Sequence, residues 1–154
     1  MSRTFTLAVA QFELPPFKYP HIHWALVAFV PGSRHATRYQ VLGNTDTFQF
    51  DARATANLLS EARLMGGAKV GEIPEENVTN GWLERTLRAV PVLRNDPNWH
   101  CQVWTVDALR ALKQHPREVS VRPDATMGWL RDVMQEQWDL CELAEDHFFE
   151  CAMR

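Results

Sequence analysis

The residues of this chain that could do chemistry together are a cysteine and a histidine about eighty positions apart. Cys101 falls in "DPNWHCQVWTVDALRAL", at the start of a stretch predicted to be helical from Trp99 to Gln114. A helix start carries a partial positive charge and unpaired backbone N–H groups. A thiol placed there ionises more readily, and the same N–H groups can hold an oxyanion. The partner a nucleophilic thiol needs is a base on a rigid element. "FKYPHIHWALVAFVPG" supplies His21 and His23 at the mouth of a strongly apolar run. Strand side chains alternate, so the two share a face. His23 leads directly into "WALVAFV" and is the better fixed of the two; His21 follows Pro20 at the edge.

Three plainer readings compete with that pair. Cys101 is also a small apolar residue at a helix start, and His23 a half-buried histidine bonded to a carbonyl. His21, His23 and either His100 or Cys101 could ligate zinc, but no carboxylate sits at a telling offset and no HExxH pattern exists. The expectation is therefore no metal and no cofactor. His100 adjoins Cys101 on the helix and points elsewhere. His35, His115 and His147 read as surface residues. Cys141 and Cys151, in the acidic tail "DLCELAEDHFFECAMR", read as packing residues.

The elements that must position these groups follow from periodicity. Thr4 to Leu14 alternates as a strand, and Ile22 to Val30 reads as a buried strand ending at Pro31-Gly32. "RYQVLG" (38–43) and "TFQF" (47–50) form a hairpin around "GNTD". Residues 53–65 are ambiguous, with "TANLLSEARLM" (55–65) of helical composition, and "AKVGEIP" is a short strand closed by Pro74. Asn80–Val90 is helical. In Trp99–Gln114, Val103, Val106, Leu109 and Leu112 form one stripe, bracketed by Pro97 and Pro116. Asp124–Phe149 reads as one or two further helices. Strands first and helices later predict a single α+β domain over residues 1–154, a small antiparallel sheet packed against helices.

"HWALVAF", a following strand and a helix opening "W-H-C-Q-x-W" resemble the circularly permuted papain-like thiol enzymes. These are the NlpC/P60 superfamily, including the lecithin:retinol acyltransferase-like proteins. The chain looks closest to small fungal proteins of unassigned role that pair an HWAL strand with a CQxW helix. His23, Trp24, Ala25 and Leu26 match the strand motif, Cys101 the nucleophile, and Gln102 stands where that opening has Glu. The resemblance covers roughly residues 20–115, from the first motif to the end of the helix carrying the second. It implies a permuted papain-like fold and acyl transfer or hydrolysis through a thioester. The family's third polar residue lies on the next strand and is often a second histidine; here Gln40 stands nearest to that role. A glutamine can fix the imidazole tautomer but cannot stabilise imidazolium as a carboxylate does. Trp24, His21, Trp99 and Trp104 are the candidates to line a substrate cleft, with core packing the competing role for the tryptophans.

Composition limits the partners. The chain has 154 residues, 45% hydrophobic and 23% charged, with six tryptophans and a formal net charge of −3. That is a globular composition without the basic footprint of a nucleic-acid binder. The arginines and lysine from Arg85 to Arg117 could still form a local patch. Three cysteines without CxxC give no disulfide framework, and no run reaches the ~18 apolar residues of a membrane span. The N-terminus has no signal-peptide pattern, and the expected location is cytoplasmic. The expected substrate is a small molecule or acyl ester. One aminoacyl version is that of the fungal arginine-containing cyclodipeptide synthases, which join aminoacyl groups drawn from tRNAs. Size and chemistry suggest it, not a motif. The alternative from another class is a catalytically silent domain that binds a partner in the same cleft.

Overall fold

The computed structural model describes residues 3–14, 22–58 and 63–141, with side chains described to Leu140. His21, His147 and Cys151 lie outside these residues, as does the Cys141 side chain. Among the described residues the architecture is α+β: a six-stranded antiparallel sheet packed against four helices. The strands are β1 (Thr4–Glu13), β2 (Ile22–Phe29), β3 (Ala36–Leu42), β4 (Gln49–Thr55), β5 (Leu64–Pro74) and β6 (Ser120–Val121), in spatial order β4-β3-β2-β1-β5-β6. The helices are α1 (Glu75–Thr79), α2 (Trp82–Arg88), α3 (Cys101–Lys113) and α4 (Met127–Cys141).

The central strands β1 and β2 are buried on both faces, which is why their sequences run nearly continuously apolar rather than alternating. Leu7 and Val9 of β1, Trp24, Leu26 and Ala28 of β2, and Tyr39 and Val41 of β3 face the helices. There they form the main core with Leu83, Leu87, Trp104, Leu109, Leu112 and Leu130. Ala8, Ala10 and Phe12, with Ala25, Val27 and Phe29, face the other way into a smaller cluster with Ala36 and Leu58. Gln11 is buried in β1 at a bulge, and its amide donates to the carbonyls of Met65 (2.9 Å) and Met134 (2.6 Å), tying α4 to the sheet. Of the ambiguous segment 53–65, residues 53–55 belong to β4 and Leu64 and Met65 begin β5, so strand pairing overrides the helical composition at both ends. Among the described residues no helix is long and apolar enough to cross a membrane.

Candidate functional site

The site is built where β2 outruns its neighbour. The β2–β3 ladder covers only Leu26 to Phe29, while β2 begins at Ile22. The start of α3 occupies the edge left beside residues 22–24. Gln102 Nε2 donates to the Ile22 carbonyl at 3.0 Å, and the Cys101 Sγ approaches the same oxygen at 4.0 Å. The backbone N–H groups of Trp24, Gln102 and Cys101 face the sulfur. The thiol thus meets the strand edge-on, at the backbone groups on either side of His23.

The approach to α3 is fixed by local chemistry. Asp96 makes an Asx turn, its Oδ1 accepting from Asn98 N–H at 2.9 Å. Trp99 packs edge-on against Phe48, with ring centroids 5.5 Å apart. His100, in extended conformation, is the helix N-cap: its Nδ1 accepts the Gln102 N–H at 3.3 Å. Accepting that bond requires an unprotonated Nδ1. Burial, reinforced by the Arg131 charge, lowers the His100 pKa and keeps it so.

His23 sits opposite Phe12 in the β1–β2 ladder, and their rings lie 6.0 Å apart. Its ring points to the side of Ala25 and Val27, toward β3. There its Nε2 meets Gln40 Oε1 at 2.8 Å, and Gln40 Nε2 donates to Asp51 Oδ2 at 3.0 Å. Gln40 and Asp51 are direct partners in the β3–β4 ladder, and Arg53 Nε holds the same Asp51 oxygen at 2.9 Å. Burial alone would raise the Asp51 pKa. The hydrogen bonds from Arg53 and Gln40, with the charges of Arg53 and Arg38, outweigh it and hold the carboxyl below its ordinary value. An ionised carboxylate only accepts, so the Gln40 NH₂ must face Asp51 and its oxygen must face His23. His23 is therefore protonated on Nε2, and its Nδ1 lone pair has no hydrogen-bond partner among the described residues. Burial lowers the His23 pKa, the Gln40 bond opposes this, and the Arg38 charge adds to the lowering.

The structure thus joins His23 to Gln40 and brings Cys101 to the strand that carries His23. It does not join Cys101 to His23 by a hydrogen bond. The strand pleat aims the imidazole at Phe12 and Gln40, while Cys101 belongs to the helix-side core. Cys101 is 2% exposed, and burial outweighs the three N–H groups, pushing its thiol up to about 11. The expectation that a helix start would lower this pKa is corrected accordingly. Trp24, Trp99 and Trp104 are 2%, 4% and 0% exposed and pack in the core, so they do not line an open cleft here. The proposed substrate contact at His21 lies outside the described residues. Among the described residues no group of three His, Cys, Asp or Glu side chains is placed to hold a metal. A groove of about 500 Å³ lies at the other end of β2, bordered by Ala28, Val30, His35 and Thr55, away from Cys101 and His23.

Asp51 and the His100 cap are two parts of the site geometry that the sequence reading missed. Counting the hairpin register from the predicted turn misses Asp51 by two residues. Pairing 42 with 47 across a four-residue turn sets Gln49 opposite Gln40, whereas the observed pairing of Leu42 with Gln49 sets Asp51 there. The His100 cap has no comparable signal, because histidine is not among the preferred N-cap residues.

No curated protein and no solved structure matches the chain. A family model does match over residues 9–116, which is more than half of the chain and includes both His23 and Cys101. The chain therefore belongs to the family described as "Family of unknown function (DUF6540)".

Proposed function

We propose that the chain is a thiol-dependent acyl-transfer or hydrolysis domain of permuted papain-like arrangement, with Cys101 as nucleophile and His23 as base. The observation that carries this reading is the hydrogen-bond chain from His23 through Gln40 to Asp51, which favours the Nε2–H tautomer of His23. Asp51 orients Gln40, Gln40 Oε1 accepts a hydrogen bond from His23 Nε2–H, and the Nδ1 lone pair is kept for a proton acceptor's role. The nucleophile starts from the backbone edge flanking that histidine, and hydrogen bonds of a catalytic pair often tighten only with substrate.

In the reaction, His23 Nδ1 takes the Cys101 proton as the sulfur attacks a carbonyl carbon. The N–H groups of Cys101 and Trp24 already face the sulfur and favour its negative charge. A carbon–sulfur bond forms, the bond to the leaving group breaks, and the leaving group departs with the His23 proton. Water or an amine then attacks the thioester and regenerates the thiol. Because Cys101 is 2% exposed, a donor reaches it only after a local opening of the packing around the sulfur. Peptide, lipid-ester and aminoacyl-ester donors, including an aminoacyl-tRNA, all fit this chemistry.

A second reading has its own observation. A buried thiol held near pKa 11, without a bond to His23, is what a catalytically silent binding domain would show. Incubation with p-nitrophenyl acetate separates the two. An acyl adduct on Cys101, seen by intact mass and lost in His23→Ala, supports the enzyme; no adduct in either protein supports the silent domain.

A further inference from the structure

We propose that Asp51 is a positioning residue that clamps the Gln40 amide and through it sets which His23 nitrogen can accept a proton; the inference rests on His23 acting as the base. The side-chain amide of Gln40 is 1% exposed and makes one bond on each side, to His23 at 2.8 Å and to Asp51 at 3.0 Å. An amide can occupy its site in two orientations that differ only in exchanging O and NH₂. With Asp51 ionised, the flipped orientation would press the Gln40 oxygen against a carboxylate and leave two acceptors facing each other. It would also turn the NH₂ toward His23, which could accept only in the Nδ1–H tautomer. The observed orientation relieves both conflicts.

Asp51 suits this role because its own orientation is set. Arg53 holds it in two bonds, Nε to Oδ2 at 2.9 Å and Nη2 to Oδ1 at 3.4 Å. The ladder register that pairs Gln40 with Asp51 fixes the separation of the two Cα atoms. Arg38 stacks over Phe12 at 4.3 Å, and its charge favours the ionised Asp51. The chain of influence therefore runs outward from the buried imidazole to a partly exposed carboxylate on the edge strand.

The test is the tautomer of neutral His23, read from its ring ¹⁵N shifts and ring proton couplings above its pKa. Wild type should show Nε2–H alone. Asp51→Ala should shift the spectrum toward an average of both tautomers, because the amide is then free to flip. Asp51→Asn, which can still accept through its Oδ1, should restore the wild-type spectrum. In a Gln40→Met background, Asp51→Ala should leave the His23 spectrum unchanged, since the clamp acts only through Gln40. An unaltered Nε2–H spectrum in Asp51→Ala overturns the proposal, as does an equal shift in the Gln40→Met background. If the tautomer responds as expected but acylation of Cys101 is indifferent to His23, the clamp stands and the thiol-enzyme reading falls.

Discussion

Burial of the Cys101 thiol makes a quantitative claim about alkaline stability. A thiol with an ordinary value of 9.0 is pushed up to about 11 in the folded protein, chiefly by loss of water. The unfolded chain then loses this proton about two pH units before the folded one does. Stability attributable to the protonated thiol is fully present below pH 9 and falls as pH rises toward 11. One pH unit corresponds to about 1.4 kcal/mol, so the loss across the interval is roughly 3 kcal/mol. The perturbation is Cys101→Ala, which removes the titrating group. Urea unfolding of both proteins between pH 7 and 11 gives the difference in stability at each pH. Tyr39, pushed up to about 12 by burial, is common to both proteins, as are the other cysteines, so their contributions cancel in the difference. The difference should be constant to pH 9 and then decline at about 1.4 kcal/mol per pH unit. A difference that stays flat to pH 11 would refute the view that the thiol is held neutral against the β2 edge.

His23 gives the opposite dependence: its folded pKa is lowered, so its contribution is present above the ordinary 6.5 and lost as pH falls through the lower folded value. Acid unfolding of His23→Gln should be less steep below pH 6.5 than that of wild type, measured by circular dichroism against pH. At Gly71 a Cβ would run into the Ser120 carbonyl where β5 pairs with β6, so Gly71→Ala should cost about 1–3 kcal/mol in urea unfolding. Gly128 in α4 has open space around a Cβ, and Gly128→Ala should instead gain about 0.5–1 kcal/mol.

The central strands and the long helix were legible because their signals are local and strong. Thr4–Leu14 and Ile22–Val30 end within a residue of β1 and β2, and of the stripe Val103, Val106, Leu109 and Leu112 the last three are buried in α3 while Val103 is half-buried. Gln40 came from the resemblance, as the polar residue of the next strand; that it is buried at 1% exposure rather than solvated is shown only by the packing. Asp51 was not legible, since it depends on a register that a two-residue error in turn length displaces. The state of the Cys101 thiol was also hidden. A helix start predicts an acidic thiol, but tertiary packing leaves Cys101 2% exposed, and that burial outweighs the N–H groups facing the sulfur. The tryptophans illustrate the same limit. Composition announces six large aromatic side chains, and only packing shows that Trp24, Trp99 and Trp104 fill the core.

The claim that His23 serves Cys101 as its base is tested most directly by the rate of Cys101 acylation by p-nitrophenyl acetate as a function of pH, in wild type and His23→Ala. In wild type the rate should rise with deprotonation of His23, whose pKa is lowered, and be level by pH 7. In His23→Ala it should be slower at pH 7 by on the order of a hundredfold, the lower end of what a positioned base contributes. It should then climb only as the thiol itself ionises toward 11. Superimposable curves that both climb with the thiol would contradict the account and leave a binding domain with a buried, inert cysteine.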